Sequence, residues 1–427
     1  MKGVIETLRE RGLIEAETHE NISMIVEKHK PIGVYCGFDP TADSLHLGNM
    51  VAIMGLAWFR RFGHTAVAIS GGATGLIGDP SGKSQERVLL TNEILQKNVA
   101  AITATLQTLL TRVEGSQEVV FLNNRDWFEP MSCIEFLRDL GKHFRVGTML
   151  GRENVRARLA SEEGMSYTEF SYQLLQAYDF FYLHSKYNVM LQLGGSDQWG
   201  NITAGIDFVR RLTGHEVYGV TFPLLLRSDG KKFGKSESGA IWLSADKLSP
   251  YDFYQYIFRT SDLDVIRLLK ALTFLEMDVI GALEERMGKP DYVPNTAQKL
   301  LADEVTRFVH GEEGLEMARR VTLQAKPGKE VVSFTSETIK PLLGQVPTAN
   351  MASQEVLQGL IADIVAYAKF APSKSEARRL IRNGGVYVND RKITDEADRI
   401  QPTDLIDGQY IVISLGKKNR NIVVVNP

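Results

Sequence analysis

The sequence predicts an α/β protein: a parallel sheet covered by helices, then an all-helical segment, then a small α+β module. Three observations predict it. From residue 31 to about 240, short β-branched or apolar runs alternate with longer helical patterns, as strands joined by crossover helices do. From about Ser244 to Gln324 strand signals vanish and the spacing is helical. Beyond a stretch rich in Pro and Gly, a basic helix precedes brief strands. At about 100–200 residues per domain, the 427 residues accommodate two to four such units.

The strand candidates are Gly33–Phe38, Thr65–Ser70, Val119–Leu122, Val189–Leu193 and Val220–Leu226. Several run straight into Gly, Asp, Asn or Ser, and ligands of open parallel sheets bind beyond the carboxyl ends of the strands. An apolar helix follows from Met50 to Phe59, and another begins at Ser166, where Ser166 and Glu169 form an S-x-x-E capping pattern. Pro250 and Pro290 punctuate the helical segment; Pro327, Gly328, Pro341, Gly344 and Pro347 mark a linker. In the closing module Lys374, Arg378 and Arg382 recur every four residues and line one helix face, with Arg379 beside it and Gly384-Gly385 ending the helix. Val386–Val388 and Arg391–Ile393, joined by Asn389-Asp390, read as a small hairpin.

A composition of 44% hydrophobic and 24% charged residues excludes a disordered or collagen-like chain. Cys36 and Cys133 lie 97 positions apart and cannot build a disulfide framework. The eight histidines show no metal-ligand spacing, so no structural zinc is expected; no tightly bound cofactor is expected either. No run reaches the roughly 18 apolar residues of a membrane span. The first thirty residues carry six acidic side chains, which transit peptides avoid, so a cytoplasmic protein is expected. Net charge is −3, but the chain from Leu357 onward carries +3 and the remainder −6. That asymmetry points to an appended anion-binding module.

Five runs carry chemistry. In the first, Gly33 to Thr41 leads to Ser44-Leu45-His46-Leu47-Gly48-Asn49, which places His46 at a helix start beside a glycine that lets a ligand approach the backbone. Alone, it reads more readily as a capping turn with an incidental His. The second, Gly71 to Ser84, invites a phosphate-loop reading, but Ile77 stands where a Walker A glycine is required and the dinucleotide fingerprint is absent too. What remains is a glycine-rich loop ending in the cations Lys83 and Arg87. In the third, Tyr172, Gln176 and Asp179 fall at about 0°, 40° and −20° around their helix, one polar stripe. Such a stripe is either the wet side of the helix or the lining of a pocket, and a pocket needs partners for the aspartate. The fourth, Leu193 to Asn201, follows a strand with Gly194, Gly195, Asp197 and Gln198, small residues beside a carboxylate that can grip hydroxyls. The fifth, Asp229 to Ser236, sets Lys231, Lys232 and Lys235 among glycines, which suits a triphosphate, although a basic turn taken alone is more often just solvated.

Together these runs resemble the class I aminoacyl-tRNA synthetases. His46-Leu47-Gly48-Asn49 matches their HIGH signature and Lys232-Phe233-Gly234-Lys235-Ser236 their KMSKS signature, 186 residues apart and in the right order. Tyr35 to His46, Gly71 to Lys83, Phe170 to Asp179 and Gly194 to Asn201 look like the bacterial tyrosyl-tRNA synthetases, and the likeness covers essentially the whole chain. Asn49 replaces the second His of HIGH, Phe233 and Gly234 replace Met and Ser of KMSKS, and Arg125 stands where a Tyr is expected.

The resemblance implies a Rossmann-like catalytic domain (1–240), a helical anticodon-side domain (241–325), a linker (326–352) and an S4-like RNA-binding module (353–427). It implies activation of L-tyrosine with ATP and Mg²⁺, then transfer of the tyrosyl group to tRNA(Tyr). Tyr35 and Asp179 would bond the phenolic hydroxyl, while Asp79, Tyr172 and Gln176 hold the ammonium, which turns the third run's stripe into a pocket. Gly37, Asp39, Gly195, Asp197 and Gln198 would hold the ribose and acyl end. Thr41, His46, Gly48, Asn49, Lys232 and Lys235 would meet the phosphates, with Lys83 and Arg87 closing in the transition state. Lys374, Arg378, Arg379 and Arg382 would meet RNA, and a homodimer would form around Trp127 to Phe144. The rivals are a tryptophanyl-type synthetase on the same core, a generic nucleotidylyltransferase, and an RNA-binding paralogue without catalysis.

Overall fold

The computed structural model describes residues 2–82, 90–162, 164–236, 239–325, 334–344, 346–416 and 419–426. The chain divides into two compact units, Met1–Leu248 with Ile257–Val309, and Ser249–Tyr256 with His310–Pro427. The helices that follow residue 250 are distributed over both.

The first unit contains the strands β1 (Ala16–Glu17), β2 (Gly33–Phe38), β3 (Thr65–Ser70), β4 (Val120–Asn123), β5 (Val189–Gly195) and β6 (Tyr218–Phe222). They form one sheet in the order β1-β6-β5-β2-β3-β4. Strands β2 to β6 are parallel, and the edge strand β1 is antiparallel to β6. β2 and β3 span the residues their sequence predicts, β4 is shifted by one residue, from Val119–Leu122 to Val120–Asn123, and β5 extends further, to Gly195. β6 ends at Phe222 rather than at Leu226, because Pro223 has no N–H with which to continue the ladder. β1 carries no sequence signal of its own.

From β2 the chain winds outward through β3 to β4, then returns to the far side of β2 as β5 and continues to β6. The winding direction reverses between β2 and β5. At such a switch point the connections leave the two strand ends in opposite directions and open a crevice.

Helices cover the faces. Met50–Arg61 is buried on nearly every side, including Met50, Ile53, Met54, Ala57 and Phe59, and so reads as apolar all round. Asn92–Thr111 buries only a stripe, Leu95, Ile102, Leu106 and Leu109 among it, and its Thr91 cap accepts from the Ile94 N–H. Ser166 caps the helix Tyr167–Tyr187, accepting from the Glu169 N–H at 3.2 Å. The Glu169 carboxylate turns instead to Arg158, at 2.6 Å, with both side chains buried. Asn188, left-handed at φ 51°, ends the helix and feeds β5. Its Phe180 and Leu183 pack against Tyr35, Val67, Ile69 and Val209. Each large apolar side chain buried there stabilises the unit by roughly 1.5–3 kcal/mol. The short strands β7 (Lys235–Ser236) and β8 (Gly239–Ala240) pair antiparallel.

The second unit holds β9 (Thr348–Ala352), β10 (Val386–Val388), β11 (Arg391–Ile393), β12 (Tyr410–Leu415) and β13 (Asn419–Asn426) in the order β11-β10-β12-β13-β9. Ile411, Ile413, Val423 and Val425 pack on the helices around Val356, Ile364 and Ile381. The alternate residues Tyr410, Val412 and Ile422 pack on Val321, Ile339 and Leu342. Both faces are covered, so β12 reads as an apolar run from Tyr410 to Ile413. The predicted hairpin forms, with Asn389 and Asp390 at φ 46° and 64° as a two-residue turn of this kind requires. The helix Lys374–Arg382 starts at its Ser373 cap and is capped at its end by Asn383; Gly384 follows at φ 66°, and the Gly385 N–H donates to the Leu380 carbonyl at 2.8 Å.

Candidate active site

At the switch point between β2 and β5 lies a cavity of about 380 Å³. It brings together Tyr35, Gly37, Asp39, Thr41, His46, Gly48, Asn49, Asp79, Tyr172, Gln176, Asp179, Gly195, Asp197 and Gln198. The polar stripe of the helix Tyr167–Tyr187 is therefore the lining of a pocket: Tyr172 and Asp179 are each only 5% exposed.

At the deep end, Asp179 accepts from the Trp127 indole N–H at 2.8 Å and from the Asn124 amide at 3.2 Å. Burial pushes its carboxyl up to about 8, the two donors hold it down and Asp39 raises it. The Tyr35 hydroxyl faces this end, buried and without a hydrogen-bond partner, and its ring meets Phe180 edge-on at 5.2 Å. Burial first, then Asp179 and Cys36, raises the Tyr35 phenol, so it stays a donor.

Asp39 sits at the middle. It accepts from the Tyr172 hydroxyl at 2.8 Å and the Thr74 hydroxyl at 2.8 Å. Thr74 in turn accepts from the Asn124 amide at 3.0 Å. A continuous chain thus links Tyr172, Asp39, Thr74, Asn124 and Asp179. Gly71 is required beside it, because a β-carbon there would collide with Asp39 Oδ1 and Thr74 Oγ1.

On the other flank the Gln198 amide donates to Asp79 at 2.7 Å and the Gln176 amide to Gln198 at 3.2 Å. Asn201 donates to Gln176 Oε1 at 2.9 Å. Asp197 is raised by burial first and by Asp79, and lowered by Gln198, its own backbone and Lys232.

At the mouth, His46 and Asn49 hold one another's turn: His46 Nδ1 accepts from the Gly48 N–H and Asn49 Oδ1 from the His46 N–H, both at 3.0 Å. With Nδ1 accepting, the neutral imidazole carries its proton on Nε2 and donates from there. Asn49, a departure from the expected His, thus has a structural contact to make. The Lys232-to-Ser236 loop meets this turn. Gly234, at φ 93°, lies so close that a β-carbon would come within 3.0 Å of Leu47 Cβ and 3.1 Å of the Gly48 nitrogen. Motifs far apart in sequence are thereby adjacent. Lys232 and Lys235 themselves are exposed at the rim and do not line the cavity, while Lys83 and Arg87 lie outside the described residues.

Sequence reasoning missed Thr74, Asn124, Trp127, Gln192 and Asn201. Gln192, 2% exposed, lines the cavity with its Oε1 unpartnered; a lone amide inside an apolar strand was the available signal. Arg125 is explained away from the cavity: it donates to Asn92 at 2.6 Å and Glu129 at 2.7 Å. On the basic helix of the second unit, Lys374 pairs with Asp363, Arg379 with Glu376 and Arg382 with Glu396. Its charge is more neutralised than the sequence stripe suggests.

Comparison with known proteins follows the same line. The family model "tRNA synthetases class I (W and Y)" matches residues 27–325, and that of the "Tyrosine--tRNA ligase SYY-like C-terminal domain" matches 338–423. The tyrosine–tRNA ligase of Protochlamydia amoebophila (strain UWE25) is 53% identical over 423 residues, 99% of each chain. The chloroplastic/mitochondrial tyrosine–tRNA ligase of Arabidopsis thaliana is 50% identical, over 99% of this chain and 84% of that one. Among solved structures, a C-terminally truncated mitochondrial tyrosyl-tRNA synthetase of Aspergillus nidulans superposes with a TM-score of 0.68 at 33% identity, over 76% of this chain and 94% of its own.

Proposed function

Since this chain belongs to the tyrosine–tRNA ligases, a family of class I aminoacyl-tRNA synthetases, we propose that the switch-point cavity binds tyrosine with its hydroxyl between Tyr35 and Asp179. The enzyme activates L-tyrosine with ATP to tyrosyl-adenylate and pyrophosphate, and transfers the tyrosyl group to the terminal adenosine of tRNA(Tyr). What supports the pose is the unpartnered Tyr35 hydroxyl beside a buried carboxylate, facing one cavity. Phenylalanine would leave the buried Tyr35 hydroxyl unpartnered, a cost of about 1–3 kcal/mol, and would deny Asp179 the donor that tyrosine adds to Trp127 and Asn124.

Asp79, Tyr172 and Gln176 receive the ammonium in this reading, and Gly37, Asp39, Gly195, Asp197 and Gln198 the ribose and acyl end. The substrate carboxylate is already a nucleophile, so the first step needs no general base. It attacks the α-phosphorus while the bond to pyrophosphate breaks, and catalysis consists of positioning and of stabilising negative charge. Thr41, His46 through Nε2, Gly48 and Asn49 supply donors at the mouth. Lys232 and Lys235, on a glycine-hinged loop, act more strongly in the transition state than in the ground state; Lys83 and Arg87 join them. Mg²⁺ enters as part of the ATP substrate, held by phosphate oxygens and water.

The domain assignment follows: residues 1–240 catalytic, 241–325 helical and anticodon-side, 326–352 linker, 353–427 an S4-like module that holds tRNA through Lys374, Arg378, Arg379 and Arg382. The enzyme is assigned as a cytoplasmic homodimer with an interface around residues 127–144. There Ile134 and Leu137, 69% and 46% exposed, leave large apolar surface in water. No helix among the described residues is long and apolar enough to cross a membrane. The test is ATP–pyrophosphate exchange with each of the twenty amino acids. Tyrosine alone should stimulate it, and equal stimulation by phenylalanine or tryptophan would defeat the assignment of the pocket.

A further inference from the structure

The segment Ile241 to Leu243, which follows the Lys232-to-Ser236 loop, is zipped onto the His46 turn. The Leu47 N–H donates to the Ile241 carbonyl at 2.8 Å and the Leu243 N–H to the Leu45 carbonyl at 2.9 Å, with His46 opposite Trp242. The Trp242 indole lies 6.2 Å from the His46 ring, the planes inclined by 57°. On that indole, 5.3 Å from its centre, rests the Lys247 ammonium. Lys247 is itself bound to Asp43 at 2.5 Å, and Lys97 lies 3.7 Å from the other Asp43 oxygen. Asp43 precedes the His46 turn and Lys247 follows the zipped segment, so their pair joins the same two segments a second time.

His46 is thus restrained twice. Its own turn holds Nδ1 through the Gly48 N–H, and the indole limits the ring on another side. We propose that Asp43 and Lys247 are positioning residues for adenylate formation, clamping the Trp242 indole so that His46 keeps its aim at the phosphates. The proposal rests on the role given to His46 above. A cation over an aromatic face and a carboxylate behind that cation fix a ring that packing alone leaves tilting. Neither Asp43 nor Lys247 is among the cavity-lining residues, so they act through Trp242 and His46.

The test measures the single-turnover rate of adenylate formation and, separately, the dissociation constants of tyrosine and MgATP in the full chain. Lys247→Met should slow the step about five- to tenfold, since a shift well under 1 Å at a reacting group already costs this much. Tyrosine affinity should be unchanged, and Lys247→Arg, which keeps the cation over the ring, should recover the rate to within about twofold. Asp43→Asn should act like Lys247→Met. In a His46→Ala background Lys247→Met should have no further effect, because the two share one path. A loss of the same size in that background overturns the proposal and leaves His46 its role. A His46→Ala variant with the wild-type rate overturns both.

Discussion

Replacing Trp127 by Phe removes one donor from Asp179 while keeping an aromatic ring against Tyr182, which it stacks on at 4.5 Å. A hydrogen bond to a buried charged group contributes about 1.5–3 kcal/mol. At about 1.4 kcal/mol per pKa unit, its loss raises the carboxyl by about one to two units. From about 8 that places it at roughly 9 to 10. The phenolic hydroxyl of tyrosine donates to the ionised carboxylate, so affinity falls about tenfold per pH unit below the folded-state value. Wild-type enzyme should therefore lose tyrosine affinity as pH falls below about 8, and at pH 7 the variant should bind roughly ten- to hundredfold more weakly. Phenylalanine has no hydroxyl to donate, and its weak binding should be flat across the range. Equilibrium dialysis with labelled tyrosine and phenylalanine between pH 6 and pH 8.5 reads both. Wild-type tyrosine affinity at pH 7 in Trp127→Phe, or a parallel slope for phenylalanine, would refute the reasoning. The same linkage acts on stability. The folded carboxyl holds its proton more tightly than the unfolded one, so this contribution is complete below pH of about 4 and lost as pH rises through about 8.

Lys235→Ala should slow adenylate formation far more than it weakens tyrosine binding, and unaffected ATP–pyrophosphate exchange would remove this loop from the mechanism. Arg378→Glu should impair tRNA charging while exchange stays intact; equal loss of both activities would count against an RNA-binding module. The point change is a better probe than truncation after about Ser353, which would strip Tyr410, Val412 and Ile422 from Val321 and Ile339. Glu169→Gln leaves the buried Arg158 guanidinium without its counter-charge and should cost about 3–5 kcal/mol, read as a fall in the urea midpoint.

β2 and β3 were legible because each is a short apolar run with turn residues at its carboxyl end. β1 was not: two residues, Ala16 and Glu17, become a strand only because β6 offers them an edge. The cavity was legible where motifs bunch polar residues, as around His46 and from Gly194 to Gln198. It was illegible where one polar residue sits in a run that already has another reading. Thr74 passes as part of a flexible loop and Gln192 as a blemish in a strand. Asn124 needs the knowledge that β4 ends beside the helix carrying Asp179, which is tertiary information. The Lys374-to-Arg382 stripe shows the opposite failure: periodicity identified the helix face correctly, but not the acids that other segments bring to it.

The bonded chain from Tyr172 through Asp39, Thr74 and Asn124 to Asp179 has a bearing on how such an enzyme changes over generations. A mutation that reshapes the ring end by removing Asp179 also deprives Asn124 of an acceptor, and through Thr74 it disturbs the carboxylate on which Tyr172 rests. One substitution is then felt at both ends of the amino acid. Drift towards another substrate must alter several linked positions together, and the intermediates along that route bind neither the old amino acid nor the new one well.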